Sequence, residues 1–251
     1  MTLLRVALRS LFLEASWSRQ GQQNLGLAAA IDPALKEIYG GPRLGEARQR
    51  AFSFFNTNPI ASGLVLGIII RLEEEVAVGR RTAENRIQLG LNLCRGLAGL
   101  GDMIFWESWL PLCCVIAVWT GLSLGYWWTP LLLPLLFCLP ALPVRFLGLA
   151  MGYRRGEEAI YSLARCDVQR LITVIRLLLA FVVGASTTAL VASQAMVTDG
   201  GPGLLWLTLI GLVICAFLLK VIFQKFRRLS YWYPLVLVIV ACVLLTVVNY
   251  N

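Results

Sequence analysis

The chain has 251 residues, of which 58% are hydrophobic and only 14% carry a charged side chain, and its mean hydropathy is +0.74. Soluble domains carry about 25% charged residues, so this much apolar surface needs an apolar medium, and lipid is the obvious one. The formal net charge of +8 would suit a nucleic-acid-binding protein, but membrane proteins also collect basic residues in their inner loops. The composition therefore predicts a membrane protein without a nucleic-acid partner.

Residues 1–58 are predicted to be a cytoplasmic or interfacial helical region. Met1 to Leu13 interleaves Arg5 and Arg9 with apolar residues, a pattern that is amphipathic but too short to span a bilayer. We expect this segment to lie as a helix on the inner leaflet.

Two further amphipathic helices are predicted before residue 58. The first is Ile31 to Tyr39, with Asp32 as its N-cap and Pro33 at the first helical position, where proline is favoured. The second is Leu44 to Phe55, with arginines on its polar side.

Residues 59–103 are predicted to be a re-entrant or broken-helix region. Pro59 to Ile70 is apolar, but its helix would rise only about 18 Å against a hydrocarbon core of roughly 30 Å. Ile87 to Gly101 is glycine-rich and is interrupted by Cys94-Arg95. Transporters build sites from such interrupted helices, although a peripheral helical hairpin beneath the bundle fits the composition equally well.

Residues 104–251 are predicted to form a transmembrane bundle, which brings the total to about five spans. Ser108 to Val144 is uncharged and long enough for two crossings, with the turn at Gly121 to Pro130. The five prolines in this stretch are expected to bend or break its helices. The other uncharged runs are Leu177 to Val197, Gly200 to Leu219 and Leu229 to Asn251.

The positions of the basic residues predict the topology. Lys and Arg side chains cluster in the loops Tyr153 to Arg176 and Lys220 to Arg228, whereas 119–130, 198–203 and 248–251 contain none. Because basic loops stay in the cytoplasm, we expect a cytoplasmic N-terminus and an external C-terminus.

A run of small polar residues lies in the sequence FFNTNP, where Asn56, Thr57 and Asn58 precede Pro59. Amides both donate and accept hydrogen bonds, as sugar hydroxyls require. The alternative is structural, an Asx turn that caps the helix after the proline.

Acidic residues mark two more candidate sites. Glu73, Glu74 and Glu75 are adjacent, and they form either a solvated turn or a site in which one carboxylate turns inward toward a polyol. Asp102 follows Gly101 at the predicted start of the first full span. There it would cap a helix N-terminus or contact a ligand.

Trp106 closes the stretch LAGLGDMIFW and is the last candidate site residue. The chain contains no His, which excludes a Cys/His zinc site and any nucleophile activated by His. It also contains no P-loop or GxGxxG motif. An intramembrane enzyme that uses the acidic residues would lack a visible catalytic partner, so we predict no catalytic residue, metal or cofactor.

Several of these motifs, in this order, resemble the IID component of the mannose-fructose-sorbose family of the bacterial phosphotransferase system. The resemblance extends along most of the chain. The matching stretches are ALKEIY at 34–39, FFNTNP at 54–59, LEEE at 72–75, LAGLGDMIFW at 97–106 and LAMGYRRG at 149–156.

The resemblance implies an all-α, polytopic permease subunit in the bacterial inner membrane. Such a subunit pairs with a IIC chain, assembles as a trimer of IIC–IID pairs and carries a sugar across the bilayer. The cytoplasmic IIA and IIB components supply the phosphoryl group, so the IID chain is not itself an enzyme. The family motifs would bind sugar or serve a structural or interfacial role.

Three positions depart from the family pattern. Asn58 stands where the family has His, Met103 where it has Ser, and Glu107 where it has Gly. These departures leave a second hypothesis open, a divergent IID-like protein with a regulatory or scaffold role and no transport of its own.

Overall fold

The computed structural model describes residues 2–197, which are mostly helical. The predicted all-α class is confirmed. Residues up to Leu177 form one compact unit, and Leu178 begins a second. The helices are α1 Thr2–Ser10, α2 Asn24–Ile38, α3 Pro42–Ala51, α4 Ser62–Ala77, α5 Ala83–Gly101, α6 Leu110–Leu124, α7 Thr129–Arg155, α8 Glu158–Ala164 and α9 Val168–Val197.

Two short elements of other helical types complete the described part of the chain. A π-helical segment, Asp102–Trp109, joins α5 to α6 without a break. A single 3₁₀ turn, Tyr126–Trp128, lies between α6 and α7, within the predicted external turn at Gly121 to Pro130.

Three stretches in the described residues are long and apolar enough to cross a membrane: Ala83–Leu122, Tyr126–Arg155 and Val168–Ser186. They correspond to three of the predicted spans. The first is 40 residues long, about 60 Å of helix, so part of it extends beyond the hydrocarbon. The predicted spans at Gly200 to Leu219 and Leu229 to Asn251 lie outside the described residues.

The N-terminal helices confirm the predicted helical character but correct its boundaries. α2 begins at Asn24 rather than Ile31, and Asp32 and Pro33 lie inside it, so the predicted N-cap is wrong. Pro33 has no N–H for the carbonyl of Ala29, one turn earlier. The Arg9 guanidinium donates to that carbonyl instead, at 3.1 Å, which lets the helix run through the proline.

α3 also ends earlier than predicted, at Ala51 rather than Phe55. The chain turns at Phe52 and Ser53, and Phe55 then bridges to Gln22 while its carbonyl accepts the N–H of Gln23 at 2.8 Å. This tie to the segment before α2 competes with a further helical turn.

α4 is the central helix of this unit, and it packs against α1, α2, α5 and α7. Its contact with α7 brings the two backbones together through glycines on both helices. A Cβ atom on Gly63 would lie 1.9 Å from the Arg145 carbonyl oxygen, and one on Gly67 would lie 2.2 Å from that of Leu149. On α7, Gly152 faces the Leu64 carbonyl in the same way. Small residues four apart are the usual means of close helix approach in membranes.

α4 and α5 form the region 59–103, and the choice between a re-entrant or broken-helix region and a peripheral hairpin stays a prediction. Most residues of α4 are buried. α5 runs through Cys94-Arg95 without a break, because Leu93, Cys94 and Leu97 face the core while Arg95 and Gly96 lie on the exposed side of the same helix.

α7 is likewise continuous through Pro134, Pro140 and Pro143. The expected helix break at these prolines is therefore absent, as membrane helices often tolerate proline. The division into 1–58, 59–103 and 104–251 stays a prediction.

The glycine contact between α4 and α7 makes a stability prediction. Gly67→Ala should lower the free energy of unfolding in detergent by about 1–3 kcal/mol, because the new methyl group meets backbone that cannot rotate away. Gly99→Ala is the matched control, since a Cβ there meets nothing within 4 Å and alanine favours helix. Equal thermal unfolding midpoints for the two variants would contradict the close contact.

Candidate functional site

Asn58 joins two of the predicted sites. Its Oδ1 accepts the N–H of Ile60 at 2.9 Å and that of Ala61 at 3.3 Å, which confirms the Asx turn ahead of α4. Its Nδ2 donates to Oδ1 of Asp102 at 2.8 Å. The FFNTNP and LGDMIFW stretches, 44 residues apart in sequence, therefore meet at one buried amide.

Gly101 makes this contact possible. A Cβ atom at Gly101 would lie 2.5 Å from the Cβ of Asn58, a separation that real side chains do not adopt. The glycine next to Asp102 thus lets the α5 backbone approach the Asx turn closely enough for the amide to reach the carboxylate.

Asp102 does not cap a helix N-terminus, so that prediction is wrong. α5 precedes it, and its backbone N–H is directed at the carbonyls of Ala98 and Gly99. Asp102 is instead the first residue of the π-helical segment. The Ser108 hydroxyl donates to the Met103 carbonyl five residues earlier, at 2.7 Å. π-Helical turns inside α-helices are frequent at functional sites.

Thr57 is held by Gln23, which was not among the predicted site residues. The Thr57 N–H donates to Gln23 Oε1 at 3.0 Å, and Gln23 Nε2 donates to the Thr57 carbonyl at 2.9 Å. The Thr57 hydroxyl is buried without a hydrogen-bond partner in the described residues. Asn56, by contrast, is exposed, so of the three polar residues it alone presents its side chain to the surroundings.

Glu73 forms a second buried site, a cluster with Tyr39, Arg50 and Arg86. Its carboxylate is fully buried, with Arg50 Nη2 2.8 Å from Oε2 and Arg86 Nε 2.7 Å from Oε1. The Tyr39 hydroxyl lies 2.9 Å from Oε2. The inward carboxylate that was one of the two predicted alternatives exists, but it faces arginines of the same chain.

The Arg86 contact is a short ion pair that is not aligned as a hydrogen bond. Within the described residues, Arg86 Nη2 and Arg50 Nε are also buried without a hydrogen-bond partner. Two guanidinium groups therefore share one carboxylate, and the cluster carries a net positive charge.

The electrostatics of this cluster shift the pKa of Tyr39, which directly follows α2, and that of Arg50 on α3. Burial, followed by the charge and hydrogen bond of Glu73, raises the pKa of Tyr39 to about 12, so its hydroxyl keeps the proton that it donates at neutral pH. Burial alone would lower the pKa of Arg50, but the Glu73 carboxylate outweighs it and the pKa is raised.

Glu74 and Glu75 lie in the last turns of α4 rather than in a solvated loop, so that alternative is wrong. Glu74 accepts a hydrogen bond from the Tyr153 hydroxyl at 2.6 Å. Glu75 pairs with Arg81 at 2.9 Å, across the loop that leads to α5. Both carboxylates are half-buried and hold neighbouring elements to the end of α4.

Trp106 and Glu107 connect the π-helical segment to α7 and α9. The Trp106 ring stacks on Phe137 of α7 with 5.5 Å between centroids, and its side chain remains exposed. Glu107 pairs with Arg176 of α9 at 3.0 Å, and the same guanidinium donates to Ser108 Oγ at 3.2 Å.

The arginines of these sites were missed by the sequence motifs. A signal for Arg86 was present, because it falls on the same face of α5 as Gly90, Leu93 and Leu97, which are buried. An arginine on the apolar side of an amphipathic helix needs a buried partner. Nothing in the local pattern singled out Arg50 or Arg176, whose partners are distant in sequence.

Comparison with known proteins decides the family. The model of the mannose/fructose/sorbose family IID component of the phosphotransferase system matches residues 1–250. The chain belongs to this family. It is 34% identical over 185 residues to the mannose-specific EIID component of Escherichia coli K12, covering 72% of this chain and 64% of that protein. It is 32% identical to the fructose permease IID component of Bacillus subtilis 168, covering 71% of this chain and 65% of that protein.

The aligned region thus spans less than two thirds of the length of these relatives. Two solved structures that are similar to this chain support the family assignment. A structure described only as a membrane protein has a TM-score of 0.68 at 30% identity and covers 74% of this chain and 69% of its own. The cryo-EM structure of the mannose transporter ManYZ in complex with microcin E492 has a TM-score of 0.59 at 31% identity, with 75% and 69% covered. The protein is a helical membrane protein of the IID family.

The buried ionic cluster predicts that loss of the charge at Glu73 lowers the free energy of unfolding much more than loss of the charge at Glu75. Glu73→Gln should lower the free energy of unfolding by about 3–5 kcal/mol, because it leaves two buried guanidinium groups without a countercharge. Glu75→Gln on the same helix should cost about 0–1 kcal/mol, since its ion pair is partly solvated. Chemical unfolding in detergent, followed by tryptophan fluorescence, measures both. Equal losses in the two variants would mean that Glu73 is not the buried partner.

The hydrogen bond from Asn58 to Asp102 predicts that a negative charge at position 58 destabilises the protein. Asn58→Asp replaces the amide that donates to Asp102 with a second carboxylate, which is charged and can only accept. It should destabilise the folded chain by about 1–3 kcal/mol or more. Asn56→Asp, two residues earlier and exposed, is the control and should be close to neutral. A stable Asn58→Asp protein would show that Asn58 and Asp102 do not touch.

Proposed function

We propose that this chain is the IID membrane subunit of a sugar-specific phosphotransferase permease. The observation that carries the proposal is the contact of Asn58 with Asp102 across Gly101. Two of the stretches that resemble the family converge there, at the start of a π-helical segment inside an apolar helix. A polar centre of this kind within a candidate span favours transport over a purely structural role.

The same family membership supports a set of partners. The chain pairs with a IIC membrane subunit, and three such pairs assemble into the permease. The cytoplasmic IIA and IIB components carry the phosphoryl group, and this chain contributes no catalytic residue. The relatives' names include mannose, fructose and sorbose, so a monosaccharide is the substrate class to test first.

The placement follows from the charge pattern of the chain. The subunit lies in the bacterial cytoplasmic membrane with its N-terminus in the cytoplasm and its C-terminus outside, because its basic loops remain on the inner side. The lipid bilayer is its solvent along the candidate spans.

The candidate site residues divide into two groups by exposure. Asn56 and Trp106 are exposed and available to a sugar or to the IIC subunit. The others, Thr57, Asn58, Glu73, Glu74, Glu75, Gly101 and Asp102, have their polar groups or backbone engaged within the chain. We assign the second group to positioning the π-helical segment and α4.

Uptake in a deletion strain tests the function directly. Loss of this gene should abolish phosphoenolpyruvate-dependent uptake of at least one of labelled mannose, fructose and sorbose, and the wild-type gene should restore it. Accumulation of the sugar phosphate identifies coupled transport. Unchanged uptake of all three sugars, with the IIC, IIA and IIB genes intact, would contradict the proposal for this substrate class.

The exposed amide of Asn56 gives a finer prediction. Asn56→Ala should raise the apparent KM for the transported sugar about fivefold to tenfold, the loss expected for one hydrogen bond of about 1–1.5 kcal/mol. Asn92→Ala removes another exposed amide, on α5 and outside the family motifs, and should leave the KM unchanged. Equal amounts of both variants in the membrane must be shown by immunoblot. An unchanged KM in Asn56→Ala would exclude a sugar contact by this residue.

A further inference from the structure

A basic groove lies between α1 and α2, away from the polar centre at Asn58. The cavity has a volume of about 330 Å³, and the charged side chains that line it include Arg5, Arg9 and Lys36 together with Asp32 and Glu37. This volume suits a phosphate group with its substituents, and none of these residues takes part in the proposed sugar site.

The negative side chains that line the groove do not balance its positive ones. Asp32 pairs with Lys36 at 2.9 Å and also with Arg48 of α3 at 2.8 Å. Partial burial raises the pKa of Asp32, but the hydrogen bonds from Lys36 and Arg48 outweigh it and hold the pKa below its ordinary value. Because Arg48 from α3 already offsets the Asp32 charge, the positive side chains of the groove exceed its remaining negative charge, that of Glu37.

Arg5 is the cation that remains available. It is exposed and makes no hydrogen bond or ion pair in the part of the chain that the structure describes. Arg9 is already engaged, because it donates to the Ala29 carbonyl at 3.1 Å and lies 3.9 Å from Asp32. A ligand in the groove would therefore meet one free guanidinium group and the exposed Lys36 ammonium group.

α1 is apolar on two of its sides. Val6, Ala7 and Ser10 are buried against the rest of the unit, whereas Leu4 and Leu8, one turn apart, are exposed. The two arginines lie between these faces, beside the groove. An outward apolar face next to a basic cleft is the arrangement that an interfacial helix needs, with side chains in the acyl region and cations at the level of the headgroups.

We propose that this groove binds the headgroup of an anionic phospholipid, with its phosphate near Arg5 and Lys36 and its acyl chains along Leu4 and Leu8. The excess positive charge selects an anionic headgroup over a zwitterionic one. The exposed leucines beside the groove select a lipid over a free phosphate ion, which would gain nothing from them.

Native mass spectrometry of the full chain in mild detergent tests this site with phosphatidylglycerol, phosphatidylcholine and inorganic phosphate as probes. Phosphatidylglycerol should bind more tightly than phosphatidylcholine. Arg5→Gln should weaken phosphatidylglycerol binding about fivefold, since a basic residue near an anionic lipid surface contributes about 1 kcal/mol. Among the described residues Arg5 has no hydrogen-bond or ion-pair partner to lose, so this variant should fold normally. Arg80→Gln removes another exposed arginine, outside the groove, and is the control.

Leu8→Gln separates a lipid from a free anion, because it should weaken phosphatidylglycerol binding and leave inorganic phosphate binding unchanged. Equal binding of the two lipids would overturn the proposal, and so would the same affinity for phosphatidylglycerol in Arg5→Gln and Arg80→Gln. Inorganic phosphate that displaces phosphatidylglycerol at equal concentration would reassign the groove to a free anion. The sugar-uptake tests do not depend on any of these outcomes.

Discussion

A charge that cannot reach water organises the described part of this protein. α4 is enclosed by α1, α2, α5 and α7, and near its end it carries Glu73, whose side chain is fully buried. A carboxylate in such a place must be matched by charge and hydrogen bonds. Its partners are Tyr39 directly after α2, Arg50 of α3 and Arg86 of α5, so three elements are held at fixed positions around α4. The glycine contact with α7 completes the enclosure, and the helices before α4 are thereby fixed to the apolar spans.

The polar centre at Asn58 depends on that frame. The Asx turn begins the segment that leads into α4, and the amide that forms it also reaches Asp102 on the neighbouring helix. The change from α-helix to π-helix starts at the residue that receives this hydrogen bond. A π-turn holds more residues than an α-turn, so the residues after Asp102 are rotated relative to their α-helical positions. The connection thus sets which side chains of this helix face α7 and which face α9.

The sequence predicted the helical class, three of the spans and the turn between α6 and α7, because hydropathy and charge distribution are local properties of a membrane helix. The Asx turn found at Asn58 was one of the two alternatives that the sequence offered for this segment. The sequence did not predict the start of α2, since the Arg9 side chain that satisfies the Ala29 carbonyl comes from another helix. The same limit applies to Glu73: three adjacent glutamates look alike in sequence, and only the packing of α4 decides which one turns inward to meet Arg50 and Arg86. The continuity of α5 through Arg95 was missed because a charge within an apolar run resembles a break until the exposed face of the helix is known.

Glu107 shows how a departure from the family pattern is accommodated. A glutamate in place of the family's glycine, inside a candidate span, would be costly if it stood alone. Arg176 on α9 lies 3.0 Å from it and also donates to Ser108. The pair neutralises both charges within two apolar helices. The charge of Glu107 is therefore compensated, and its presence is no argument against transport. The pair also links the π-helical segment to α9. Any movement of α9 relative to that segment must therefore break or carry this ion pair.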